Sequence, residues 1–206
     1  MHRCQSVIYV VDDDASVRKS LALLLMANGF KAETFSCATE FMACKHPRLP
    51  SCLLLDVRLP DISGPILQET MAAEHLDIPI IFITGHGSIP MGVKAMKKGA
   101  VDFLTKPFSE KDLLDAVERA LARSRNQNET SVEKEKISSR IKTLSPRELE
   151  VFHFVARGML NKQIASRRGT ALQTIKVHRS RVMRKMHAKT ITELISFARQ
   201  AGIVSS

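Results

Sequence analysis

Three carboxylates, Asp12, Asp13 and Asp14, stand side by side directly behind the apolar run VIYVV at residues 7–11. Adjacent acids resist ionising together unless a cation or a lysine compensates them. Three further residues have types that such a cluster would use. Asp56 closes the run CLLLD, Thr84 closes IPIIFIT, and Lys106 follows VDFL. The missing positive charge is assigned to Lys106 together with a hard cation. Magnesium, which takes one or two carboxylates along with water and phosphate oxygens, suits this donor set.

The elements that must carry these residues are legible in the hydropathy. VIYVV (7–11), CLLLD (52–56), IPIIFIT (78–84) and VDFL (101–104), with a weaker AETF (32–35), read as five strands. The runs are nearly continuous rather than alternating, as in parallel strands covered on both faces. Helical spacing fills the gaps at Ala15 to Asn28, Gly64 to Glu74, Ile89 to Lys98, and Ser109 to Arg123, the last opening on a Ser109/Asp112 capping box. The prediction is an α/β fold, a doubly wound parallel five-stranded domain over residues 6–122. Ligands bind such sheets outside the carboxyl ends of the strands, and Asp12, Asp13, Asp56, Thr84 and Lys106 all fall there.

Taken in order, VVDDD, LLLDVRLPDISG, FITGHG and KKGAVDFLTKPF resemble the receiver domain of bacterial response regulators, and the likeness runs through residues 6–122. The resemblance implies that Asp56 accepts a phosphoryl group from the phosphohistidine of a sensor histidine kinase. It implies Mg²⁺ bound by Asp13, Asp56 and the backbone carbonyl of Arg58, with Asp12 acting through water. Thr84 and Lys106 would contact the phosphoryl oxygens, Phe103 would change rotamer as Thr84 moves, and a cis peptide would precede Pro107. A carboxylate is a weak nucleophile, so the acceleration must come from alignment and from neutralising the transferred charge.

Other residues invite plainer readings. Asp14 is read as a solvated loop acid rather than a ligand. His86, in the GHG loop, is read as part of a flexible segment, and the methionines as core or surface fillers. Cys4, Cys37, Cys44 and Cys52 form no C-x-x-C pair and read as small hydrophobes. No apolar run approaches the roughly 20 residues of a membrane span, and the first residues lack a signal-peptide pattern. A cytoplasmic protein without membrane association is the expectation.

The net charge of +10 is lodged at one end. Residues 1–125 hold 15 basic and 15 acidic side chains, whereas residues 126–206 hold 16 basic and 6 acidic. That imbalance points to an acidic polymer as partner, above all double-stranded DNA. Residues 123–140 are polar, mixed in charge and nearly free of large apolar side chains, and read as a linker able to prolong the preceding helix. From residue 141 to 202 four short helices follow, forming a small all-α domain. Ser145, Pro146 and Glu148 open the first, with Leu149, Phe152, Val155 and Ala156 as its buried stripe. Gly169 separates the second helix from the third, at Gln173 to Met186, and Thr190 with Glu193 opens the fourth.

This spacing is that of a helix-turn-helix. On the third helix Ile175, His178 or Arg179, Val182 and Met186 form an inner stripe. Lys176, Val177 and Ser180 are assigned to base edges, and Arg181, Arg184, Lys162 and Arg167 to phosphates. SPRELEVFHFVARGMLNKQIA and TIKVHRSRVMRKM resemble the LuxR-type DNA-binding domain, so the whole chain resembles a NarL/FixJ-type response regulator of the FixJ branch. That likeness implies homodimers on phosphorylation, regulation of transcription, and RNA polymerase as a further partner. In the turn, Arg168, Thr170, Ala171 and Leu172 replace the family's usual Leu, Ile, Ser and Glu, weakening apolar anchoring and N-capping of the recognition helix. Two other readings are weighed. A phosphohydrolase of the haloacid dehalogenase type would need an acid two residues after the nucleophile, where Arg58 stands, so a turnover enzyme is not expected. A constitutive DNA binder would have no use for the acid cluster.

Overall fold

The computed structural model describes residues 6–47, 49–85 and 89–204. It divides into two compact units, residues 1–129 and 130–206. His86 and Cys4 lie outside the described residues.

In the first unit five strands, β1 (Val7–Val11), β2 (Lys31–Phe35), β3 (Ser51–Asp56), β4 (Ile80–Thr84) and β5 (Asp102–Thr105), alternate with helices α1 (Ala15–Ala27), α2 (Ala38–Ala43), α3 (Gly64–Ala73) and α4 (Ile89–Lys97), and α5 (Glu110–Lys142) follows. All pairings are parallel and the strand order is β2-β1-β3-β4-β5. The continuous apolar runs are explained by two cores. Val7, Tyr9, Val11, Leu53, Leu55 and Phe82 face one layer, with Phe41, Leu67, Met71 and Ala95. Ile8, Val10, Cys52, Leu54, Ile81 and Ile83 face the other, beneath Leu21 and Leu25 of α1 and Leu113, Val117 and Leu121 of α5. Chain order therefore turns outward in both directions from β1 and β3, which leaves a crevice at their carboxyl ends.

Two elements depart from the sequence reading. The six-residue α2 has no helical period to detect, and its N-cap Cys37 makes no side-chain bond. Its first amides are satisfied from elsewhere: Asp61, in the loop after β3, accepts from the Ala38 and Thr39 amides at 3.3 and 2.8 Å and from the Thr39 hydroxyl at 2.8 Å. These bonds outweigh the cost of burial and hold the Asp61 carboxyl well below the usual carboxylate range. The second departure lies within residues 123–140, read as a linker able to prolong the preceding helix: the helix does continue, but the stretch also packs into a core. It is helical throughout, because α5 runs unbroken for 33 residues without a glycine or proline. Ile137, in that polar stretch, is fully buried in the core of the second unit, with Ile141 partly buried beside it.

Gly64 opens α3 immediately behind the acid cluster. A Cβ there would lie 2.6 Å from the Asp56 carbonyl oxygen and 3.1 Å from the Phe82 ring. Neither neighbour can withdraw, since one is strand backbone and the other fully buried. Gly64→Ala is expected to cost about 2 kcal/mol by overpacking. Tyr9, the chain's single tyrosine in a sequence without tryptophan, reports unfolding of this unit by its fluorescence, and an unchanged thermal midpoint would contradict the prediction.

The second unit contains the end of α5 with α6 (Pro146–Ala156), α7 (Asn161–Arg168), α8 (Leu172–Lys185) and α9 (Ile191–Gln200). The capping box at Ser145 forms in both directions, with the Ser145 amide donating to Glu148 at 2.8 Å and the Glu148 amide to the Ser145 hydroxyl at 3.3 Å. Phe152, Val155, Ile164, Ile175, Val182, Met186, Leu194 and Ala198 share one core. Val151 is buried where Leu149 was expected, so Leu149 is only partly covered. Gly169 adopts the left-handed conformation, φ 60°, that turns the chain from α7 into α8. Among the described residues no helix is long and apolar enough to cross a membrane.

Candidate functional sites: an acid pocket and a basic helix face

The parallel sheet delivers the predicted acids to one place. Asp12 follows β1, Asp56 is the last residue of β3, Thr84 the last of β4, and Lys106 lies one residue beyond β5. One carboxylate oxygen from each of Asp12, Asp13 and Asp56 lies within 4.8 Å of the other two. Lys106 Nζ stands 2.7 Å from Asp12 Oδ2 and 3.5 Å from Asp56 Oδ2. Burial works against the Lys106 charge, yet the Asp12 hydrogen bond and the charges of Asp12 and Asp56 more than offset it and raise its pKa. Asp56 moves the other way from an ordinary acid. Burial pushes its carboxyl up, against the lowering pull of the Arg58 amide and the Lys106 charge.

The two innermost acids are held differently. Asp12 is 2% exposed, and both its oxygens are engaged, Oδ1 by the Asp14 amide at 2.9 Å and Oδ2 by Lys106. Asp56 has looser contacts, the Arg58 amide at 3.3 Å and Lys106 at 3.5 Å. Asp14 is exposed but is more than a loop acid: its side chain N-caps α1, accepting from the Ser16 and Val17 amides at 2.7 and 3.4 Å. Arg18, absent from the sequence reading, donates from Nη1 to the Asp12 and Asp13 carbonyls at 2.7 and 2.9 Å. It braces the acid loop from one helical turn away, a spacing that an N-cap followed by arginine four residues on announces.

The remaining predicted residues border the pocket. Arg58 is exposed, two residues past Asp56. Thr84 is 1% exposed, and its carbonyl accepts the Lys106 amide at 2.8 Å. Phe103 stands on β5. It pairs in register with Phe82, their rings 6.3 Å apart, and lies against Gly92 of α4. The Lys106–Pro107 peptide is cis. Three hard oxygen donors facing one ammonium form a set that a magnesium ion fits.

On the second unit Lys162 and Arg167 of α7 and Lys176, Val177, Ser180, Arg181 and Arg184 of α8 are all exposed. The opposite side of α8 buries Ile175, Val182 and Met186. Arg167 lies over the Phe154 ring, 5.5 Å from its centroid. His178 and Arg179 are half-buried, and Arg179 donates to Asn161 at 2.7 Å, tying α8 to the start of α7.

An acid pocket on a doubly wound sheet, followed by a helix-turn-helix with a basic outer face, defines a two-domain regulator. Comparison with known proteins agrees. Residues 8–118 match the response regulator receiver domain, and residues 142–198 match the bacterial regulatory proteins of the luxR family. The chain is 46% identical to Nodulation protein W of Bradyrhizobium diazoefficiens over 97% of this chain and 88% of that protein. It is 38% identical to the transcriptional regulatory protein FixJ of the same organism over 96% and 97% of the two chains. Among solved structures, the response regulator StyR superposes with a TM-score of 0.81 at 42% identity, covering 95% of this chain and 99% of that one. The chain belongs to the NarL/FixJ family of two-component response regulators. It is thus a regulator with a receiver domain and a LuxR-type DNA-binding domain rather than a metabolic enzyme.

Proposed function

We propose that Asp56 accepts a phosphoryl group from the phosphohistidine of a sensor kinase, and that this mark changes how the basic face of α8 binds DNA. The reading rests on one observation above all, the convergence of Asp12, Asp13 and Asp56 on Lys106 at the carboxyl ends of the strands. Asp13, Asp56 and the Arg58 carbonyl would hold Mg²⁺, with Asp12 acting through water, and the ion when bound would supply positive charge to the phosphoryl oxygens.

The chain's own residues do the rest. Lys106 keeps Asp12 occupied and carries its ammonium beside the nucleophile, where the incoming phosphoryl charge develops. Asp56, less firmly engaged and raised in basicity by burial, is the acid free to attack. Its oxygen bonds to phosphorus as the P–N bond to the kinase imidazole breaks. Thr84, at the end of the adjoining strand, offers a hydroxyl to a phosphoryl oxygen. Phe103, packed between Phe82 and α4, would repack when Thr84 moves, which favours homodimers through the face of α4, β5 and α5.

On DNA, Lys176, Val177 and Ser180 would face base edges, and Arg181, Arg184, Lys162 and Arg167 would meet phosphates. Paired DNA-binding domains gain affinity through effective concentration, and the bound dimer would regulate transcription, most simply by activation through RNA polymerase. The test is a gel-shift titration of the full chain on genomic fragments, with and without acetyl phosphate and magnesium. Phosphodonor is expected to lower the apparent Kd about tenfold or more through dimer formation. Identical titrations of treated and untreated protein would overturn the reading and leave a constitutive DNA binder.

A further inference from the structure

The turn between α7 and α8 lacks two supports that would ordinarily seat a recognition helix. Ala171, the N-cap of α8, makes no side-chain hydrogen bond, and Leu172 at the first helical position is left exposed. Beneath the turn is a notch of about 220 Å³ whose lining mixes Val151 and Ile175 with Thr170, Thr174 and His178. The backbone bonds of the turn run back to α7, from the Gly169 amide to Ser166 and from the Thr170 amide to Ala165. None of these ties the turn to α6.

Arg168 does so. It is the last residue of α7, lines the same notch, and places Nη1 2.6 Å from Glu150 Oε1 on α6, both side chains about one-third exposed. Glu150 also lies 3.5 Å from Arg147 on its own helix. An acid at this point is unexpected on a surface that must approach a polyanion, because it cancels charge that phosphate contacts would use. We propose that the Glu150–Arg168 ion pair is a strap that positions the recognition helix, replacing the missing N-cap and apolar anchor. Arg168 is thus a positioning residue for sequence reading rather than a phosphate contact, an inference that rests on α8 being the DNA-reading helix.

The two roles predict opposite signs. If Arg168 were a phosphate contact restrained by Glu150, then Glu150→Gln would free it and tighten binding. If the pair is a strap, Glu150→Gln and Arg168→Gln do the same damage, and it falls on discrimination between sequences. The experiment uses full-length wild type, E150Q, R168Q, R168K and the double variant E150Q/R168Q, whose net charge is that of wild type. The probes are a duplex selected by the wild type from a randomised pool and a non-specific alternating duplex.

The ratio of specific to non-specific affinity is expected to fall about fivefold in each glutamine variant, the upper range for a partly exposed ion pair. It should fall no further in the double variant, and R168K should retain most of it. The salt dependence of the double variant's binding should keep the wild-type slope, whereas loss of a phosphate contact lowers that slope by about one. Tighter specific binding by E150Q, or single effects that multiply in the double, would overturn the strap. A wild type that selects normally beside variants with unchanged ratios overturns the strap alone. A wild type that selects no duplex overturns the reading of α8, and the strap with it.

Discussion

Asp56→Asn is expected to abolish incorporation of phosphate from a small phosphodonor, lowering the labelling rate by at least about 10³-fold. Loss of a nucleophile is not a graded effect when no neighbour can replace it. Asp12 is the nearest alternative, yet it is buried and both its oxygens are already bonded, one to the Asp14 amide and one to Lys106. Asp13 is exposed, and water competes for its charge. Only Asp56 combines partial burial with weak engagement. Labelling with radioactive acetyl phosphate, with magnesium or with chelator, separates the cases. Comparable labelling of wild type and Asp56→Asn would move the acceptor elsewhere, and labelling indifferent to chelator would remove the metal from the reaction.

The second large effect is expected on stability, at Glu148. This side chain is 4% exposed, accepts from Lys185 Nζ at 2.6 Å, and closes the capping box on the Ser145 amide. Glu148→Ala removes both bonds together, leaving a helix-start amide without its acceptor and the half-buried Lys185 ammonium with the Thr143 carbonyl, 2.9 Å away, in place of a paired charge. The expected loss is about 3 kcal/mol, a large share of what a unit of this size can spare. The same contacts, that to Lys185 first and then that to Ser145, depress the Glu148 pKa to about 2 from an ordinary 4.5. A depressed acid contributes stability that is complete above its unfolded value and is lost as pH falls through the folded one. The second unit should therefore weaken between about pH 4.5 and 2, and Glu148→Gln should flatten that limb. Helical circular dichroism sees both units, whereas Tyr9 fluorescence sees only the first. A variant that moved both signals equally, or neither, would contradict the assignment.

The acid pocket was readable because each of its members sits at the end of an apolar run, and runs covered on both faces locate themselves. The helix starts at Ser109, Ser145 and Thr190 were readable for a similar reason, since each hydroxyl's cap bond spans three residues of chain. What escaped the sequence were interactions between distant segments. The amides of α2 are satisfied by Asp61, 22 residues from Thr39, so no local pattern marks that helix. Ile137 shares its polar stretch with only one other large apolar residue, the exposed Val132, and its burial depends on α6 to α9 being in place. Arg168 looked like the loss of an apolar anchor because its partner, Glu150, stands in another helix.

The bond network around Asp61 has one more consequence. The carboxylate that completes α2 belongs to the loop that also carries Arg58 and leads into Gly64, so the short helix and the segment behind Asp56 form one cooperative piece. Hydrogen exchange at Ala38 and Thr39, remote in sequence from any chemistry, thereby becomes a built-in gauge of whether that loop is seated.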